Sequence, residues 1–147
     1  MTNQSFEKIK RYRNSYHGAS EYIGIKILDV NEGWAKAELE IKPYHLNPIG
    51  SVHGGVLFAL ADSVGGAAAW SRGQLVTTSN GSIEYLNAGR GAKKIFAEAS
   101  ELKAGKNLLT YDVKITNEEN KLLCHVTLQY FSLHRSLEDR LKELEEE

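Results

Sequence analysis

The stretch from Asn47 to Trp70, NPIGSVHGGVLFALADSVGGAAAW, limits what this chain can fold into more than any other. Small and apolar residues dominate it, and Asp62 is its one acid. The periodicity predicts a helix over residues 53–71, opened by the pair Gly54-Gly55 and too apolar to face water all round. The chain on either side reads as strands. Residues 22–30 alternate Ile23, Ile25 and Ile27 with Gly24, Lys26 and Leu28, and residues 34–41 alternate Ala35, Ala37, Leu39 and Ile41 with charged neighbours. Asn31-Glu32-Gly33 between them has hairpin chemistry. Further strands are predicted at 75–86, with Gly81 as a bulge, and at 94–103, 107–116 and 121–133. Leu109, Tyr111, Val113 and Ile115 share one face, as do Leu122, Cys124, Val126, Leu128 and Tyr130. One long apolar helix among six strands has no second helix to shield it. It must lie against an antiparallel sheet that curls around it, which is an α+β arrangement.

The flanks add little to that core. Residues 4–14 space Phe6, Ile9 and Tyr12 or Arg13 as a short amphipathic helix. From Ser136 onward, Leu137, Leu141 and Leu144 recur at helical spacing, Ser136 and Asp139 stand like a capping box, and the terminal glutamates oppose the helix dipole and are predicted to fray. The expected organisation is one domain over 1–147, with 1–16 an N-terminal helix extension and 136–147 a C-terminal helical tail. Lys+Arg 18 against Asp+Glu 19 leaves a net charge of −1, which gives no electrostatic case for nucleic acid or an anionic membrane. The single cysteine, Cys124, fits a reducing compartment. The charged, aromatic start has no apolar signal-peptide core, and no uncharged run approaches the ~18–20 residues of a membrane span. A soluble, cytoplasmic protein is expected.

Within the helix, Gly55, Phe58, Ala59, Asp62, Gly65, Gly66 and Ala69 fall on one stripe, while Leu57, Leu60, Ala61, Val64 and Ala68 supply the sheet-packing face. Mid-helix glycine costs ~1 kcal/mol relative to alanine. The chain accepts that twice beside its only helical acid, so the stripe reads as a contact surface with a reactive group in it. At the helix start, unpaired N–H groups sit at the positive end of the dipole, and glycines there admit another molecule's oxygen. Gly54 and Asp62, eight residues apart, lie ~12 Å apart along the axis, too far to serve one reacting atom within one helix. Two such helices antiparallel across a two-fold axis would bring the start of one to the middle of the other. That predicts a homodimer with shared sites.

The run N47-P-I-G50-S-V-H53-G54-G55-V-L-F-A-L-A61-D62 resembles the signature of hotdog-fold acyl-CoA thioesterases, in particular the PaaI-like and 4-hydroxybenzoyl-CoA thioesterase branch. T78-S-N-G-S-I-E-Y85-L-N-A-G89 resembles the strand that follows the hotdog helix, and the likeness covers residues 20–133. It implies a six-stranded antiparallel sheet wrapped on the helix, with active sites at the interface of homodimers that usually pair into homotetramers. By position, Asp62 matches the family's nucleophile or general base, and Gly54 the glycine whose N–H polarises the thioester carbonyl. Asn47 and His53 match residues near the thioester, and Thr78 one that orients water. Gly55, Phe58, Ser79 and Tyr85 fall where the substrate would lie, with Trp70 a further aromatic wall. Arg90, Lys93, Lys94 and Lys106 are candidates for the CoA phosphates. Gly81 beside Asn80 departs from the bulkier residues common there in relatives.

The expected reaction is hydrolysis of an acyl-CoA to free CoA and a carboxylic acid, with no cofactor beyond the CoA of the substrate itself. Asp62 would attack the carbonyl to give a mixed anhydride, or deprotonate a water; the sequence leaves both open. A hotdog dehydratase and a non-catalytic acyl-CoA-binding module are the alternatives. Other chemistries find no support. Ser51 is not central in a serine elbow. Cys124 and His125 are adjacent in a strand and face opposite ways. The five histidines have no metal-ligand spacing.

Overall fold

A computed structural model describes residues 1–147. Six strands form one antiparallel sheet in the order β1-β2-β4-β5-β6-β3: β1 Lys26–Asn31, β2 Trp34–Glu40, β3 Gln74–Tyr85, β4 Lys94–Ala104, β5 Leu108–Asn117 and β6 Leu122–Ser136. The sheet curls around α3, Gly54–Trp70, which sits on its concave face. This is the hotdog architecture.

The core explains the curl. Leu57, Leu60, Ala61, Val64 and Ala68 of α3 are all buried. Facing them, Ala35 pairs across the sheet with Ala99, and Ala37 with Ala97, all four fully or almost fully buried. Methyl-sized side chains on both strands let the helix backbone come close. Tyr111, Val113, Ile115, Val126 and Leu128 fill the wider side.

Two helices precede the sheet. In α1, Asn3–Ser15, the Thr2 hydroxyl accepts the Ser5 N–H, and Phe6 and Ile9 face inward. Asn14 closes the outer edge of β1: its amide donates to the Ile27 carbonyl at 2.9 Å and its oxygen accepts the Ile27 N–H at 2.8 Å, as a neighbouring strand would. The other edge strand, β3, has no such cover, and Thr77 through Ser82 are exposed.

The structure corrects several sequence expectations. Residues 19–23 form α2, so the strand predicted over 22–30 begins only at Lys26. Gly24 ends that helix in the left-handed region at φ 97°, where its own N–H and that of Ile25 both reach the Ser20 carbonyl. A register shift at Leu28 then turns Val30 inward. The bulge in β3 lies at Ser79, between Thr78 and Asn80, while Gly81 pairs regularly with Leu128. A further shift in the β5–β6 ladder buries Leu123 beside Cys124 and leaves Leu122 only partly covered. The tail helix α4 spans Leu137–Glu146, with Glu145 lying 3.3 Å from Lys8 and 3.6 Å from Arg11. No helix is long and apolar enough to cross a membrane.

Candidate active site

At the start of α3, His53 is the cap. Its Nδ1 accepts the Gly55 N–H at 2.9 Å, which leaves Nε2 to carry the proton of the neutral ring. Its carbonyl accepts the N–H groups of Val56 and Leu57 at 3.0 and 3.2 Å. Gly54 alone of these first residues keeps an N–H with no acceptor in the protomer. The Tyr85 hydroxyl donates to the Gly54 carbonyl at 2.9 Å, and a Cβ at Gly54 would meet that hydroxyl at 3.0 Å. A Cβ there needs the half-exposed Tyr85 side chain to give by a few tenths of an ångström, so glycine keeps the helix start open without being forced by packing. Asn47 shapes the approach: its side-chain oxygen accepts the N–H groups of Ile49 and Ser51 at 3.1 and 3.0 Å, so its amide NH2 is left over. Asn47, Gly54, Gly55 and Tyr85 line an open hollow of about 460 Å³.

Two turns along the helix lies Asp62. Its Oδ1 accepts from the Thr78 hydroxyl at 2.8 Å and the Tyr130 hydroxyl at 3.1 Å, and Tyr130 also reaches the Asp62 carbonyl at 2.9 Å. Oδ2 has no protein partner. One carboxylate oxygen is thus anchored and the other presented, which is how a general base or nucleophile is held ready. Burial, and then the neighbouring Asp62 charge, raise the Tyr130 pKa far above the ordinary phenol range, so its hydroxyl stays a donor. Asp62, Thr78, Tyr130, Ala59, Gly66 and Trp70 line a second hollow of about 350 Å³.

The glycine pair beside Asp62 has a physical cause. A side chain at Gly65 would collide with the Tyr130 hydroxyl, and one at Gly66 would come within 2.6 Å of the Arg13 guanidinium. The small-residue stripe expected to receive a ligand is occupied, in part, by the protein's own Tyr130 and Arg13. Neither was singled out as a site residue from the sequence. Tyr130 reads as an ordinary inward position of a strand, whereas Arg13 left one signal, a cation at the buried spacing of an amphipathic helix. Its guanidinium lies 4.1 Å over the Trp70 ring, and its buried Nε has no hydrogen-bond partner. Burial lowers its pKa from the usual arginine value.

The remaining predicted residues are dispersed. His53 and Ser79 line neither hollow; the Ser79 hydroxyl donates to the Gln129 carbonyl at 3.1 Å. Phe58 also lies outside both, its ring seated over Gly81, which accounts for glycine at that position. Arg90 and Lys93 project from the loop before β4 with exposed side chains and no ion pair, whereas Lys94 sits 3.5 Å from Glu38. Lys106 lies in the β4–β5 turn at the opposite end of the sheet.

Comparison with known proteins gives the geometry a setting. Residues 49–124 match the profile of the thioesterase superfamily. A protein of Archaeoglobus fulgidus named as a candidate esterase is 36% identical over 120 residues, 82% of this chain and 78% of that one. Acyl-coenzyme A thioesterase PaaI of Escherichia coli is 33% identical over 99 residues, 67% of this chain and 71% of its own. The solved E. coli PaaI protein superposes with a TM-score of 0.80 at 26% identity, over 88% of this chain and 96% of that one. A hypothetical thioesterase of Streptococcus pneumoniae, solved with coenzyme A, superposes with a TM-score of 0.73 at 28% identity, over 77% of this chain and 91% of that one.

Proposed function

The chain belongs to the thioesterase superfamily as a PaaI-like hotdog thioester hydrolase, and from that premise we propose that its active site is assembled from two protomers. The observation that carries this reading is the division of labour along α3. A free N–H at Gly54 and a free carboxylate oxygen at Asp62 stand in separate hollows eight residues apart, beside an uncovered edge strand. Each hollow has half of what thioester hydrolysis needs. Pairing β3 with its symmetry mate across a two-fold axis satisfies the bare edge and sets two α3 helices antiparallel. The Gly54 N–H of one protomer then faces Asp62 of the other.

An acyl-CoA enters this seam with its carbonyl oxygen on the Gly54 N–H, where the helix dipole stabilises the negative charge that develops on it. The Asn47 amide is a second donor at the same hollow. Asp62 Oδ2 takes a proton from water as the water oxygen adds to the carbonyl carbon; the carbon–sulfur bond then breaks and CoA leaves as the thiol. In the covalent variant, Oδ2 itself adds to the carbonyl, CoA leaves, and water cleaves the mixed anhydride. Thr78 holds Oδ1 in either scheme, so the reactive oxygen is fixed. Arg90 and Lys93, near the helix-start hollow, are placed to meet the CoA phosphates. The bound coenzyme A in the Streptococcus pneumoniae relative supports a CoA ester as the substrate. A homotetramer and a cytoplasmic setting complete the proposal, the buried Cys124 thiol suiting a reducing compartment.

The test is release of free CoA from a panel of acyl-CoA esters. Asp62→Asn is expected to lose at least ~10²-fold in kcat/KM with folding intact, the scale of a lost acid–base group. Turnover close to wild type in that variant contradicts the assignment. Oxygen-18 from labelled water in the Asp62 side chain after a single turnover identifies the covalent scheme, with water adding to the aspartyl carbonyl of the anhydride.

A further inference from the structure

The Asp62 hollow contains a charge that the hydrolytic mechanism does not use. Arg13 comes from α1, outside the residues that match the superfamily profile, and reaches over α3 into the space left by Gly66. Arg140, the other partly buried arginine, is paired with Glu143 at 3.0 Å. Arg13 forms neither a salt bridge nor a hydrogen bond, and its Nε is buried without an acceptor. Asp62 makes no salt bridge with it, although the two line the same hollow and the carboxylate charge acts on the guanidinium. The guanidinium carbon lies 4.1 Å from the centre of the Trp70 ring, and both side chains line the hollow. A half-buried guanidinium without an acceptor is costly, and that cost is relieved when an anion binds.

We infer that Arg13 and Trp70 form the distal end of the acyl pocket and select thioesters whose acyl group carries a carboxylate. The inference rests on the reading of Asp62 as the catalytic group. The planar fork of a guanidinium matches a carboxylate with two parallel hydrogen bonds. Positions 62 and 66 are one helical turn apart, about 6 Å along the axis. That rise corresponds to an acyl chain with its carboxylate about five bonds beyond the thioester carbonyl, so a six-carbon dicarboxylic half-thioester fits. The distal carboxylate lies a full turn from Asp62, where attraction to Arg13 at contact outweighs repulsion from the more distant acid.

The experiment compares adipyl-CoA with hexanoyl-CoA, equal in chain length and different only at the far end. The wild-type protein is expected to favour adipyl-CoA at least tenfold in kcat/KM. Arg13→Gln is expected to cut that ratio at least tenfold, and Arg13→Lys to leave an intermediate ratio, because it keeps charge without the fork. A wild-type preference for hexanoyl-CoA, or an Arg13→Gln variant that falls equally on both esters, overturns the inference. Should the variants misfold, free adipate inhibiting the wild-type enzyme more strongly than hexanoate supports the assignment, and equal inhibition overturns it. Asp62→Asn separates the two claims. Hydrolysis that survives it removes the catalytic reading, whereas hydrolysis that is lost with it, together with a flat adipyl-to-hexanoyl ratio in wild type, removes only the Arg13 assignment.

Discussion

Tyr130 joins the core of the protein to the one acid of its central helix. Its ring packs edge-on against Tyr111 at 5.9 Å, and its hydroxyl reaches both the carbonyl and Oδ1 of Asp62. Tyr130→Phe keeps the ring and removes only the donor. It is expected to lose about 1 kcal/mol of stability, and about tenfold in kcat with KM little changed, because Thr78 still holds Oδ1 while its orientation loosens. Thermal unfolding and steady-state kinetics read the two effects separately. Cys124 makes the opposite kind of prediction. Burial pushes its thiol from 9.0 up to about 11, so a thiol reagent at neutral pH should label it only as fast as the protein unfolds. Because the folded value lies above the unfolded one, the stability it contributes is complete below pH 9.0 and declines as pH rises toward about 11. Tyr111 and Tyr130, raised in the same direction, add to that alkaline loss. Denaturant midpoints measured between pH 7 and 11 should therefore fall at the upper end. At this scale Asp62 and Gly54 stood out in the sequence as anomalies, an acid in an apolar helix and a glycine pair at its start, whereas Asn47 was singled out only by the family resemblance. Arg13 and Tyr130 did not stand out, since Arg13 meets Trp70, 57 residues away, and Tyr130 meets Asp62, 68 residues away.

The central helix shows how two adjacent glycines of equal propensity have unequal roles. A Cβ at Gly65 meets the Tyr130 hydroxyl and the Leu128 side chain, both anchored in β6. Gly65→Ala should therefore destabilise the protein despite a helix-propensity gain of ~1 kcal/mol, and should lower activity by displacing Tyr130. At Gly66 the obstacle is the tip of the Arg13 side chain at 2.6 Å, which can swing away. Gly66→Ala should fold at least as stably as wild type, and a melting comparison of the two variants checks the contrast. The six strands and the central helix were readable from periodicity alone, because each buries one face against a single partner layer. What escaped was local. The short helix α2 hides within an isoleucine alternation that continues into β1, and the bulges at Leu28, Ser79 and Leu123 arise from fitting a curled sheet to a helix, a tertiary demand with no sequence period.

The molecule as a whole treats its two sheet edges differently. Asn14 caps the β1 edge within the protomer, whereas the 12-residue β3 edge, with Thr78 on it, is bare. An uncovered strand of that length is a template for pairing. A dimer is therefore expected in solution by light scattering, with a proline at Asn80 or Ser82 weakening it. A two-fold pairing is what the separation of Gly54 from Asp62 along one helix already led the sequence to predict, and the bare β3 edge is where the structure offers room for it. The identity of the edge was not legible in the sequence, since strand order depends on long-range register.

Subunit complementation tests the shared site most directly. Asp62→Asn removes the acid, and Gly54→Pro removes the N–H while placing proline at the first helical position, after a His53 whose ψ of 134° already suits it. Each variant alone should be nearly inactive. Unfolded together in equal amounts and refolded, half of the dimers should be mixed, each with one intact site, restoring about a quarter of wild-type activity. No recovery from a mixture shown to contain mixed dimers would contradict the account, since it would place both groups in the same protomer's site.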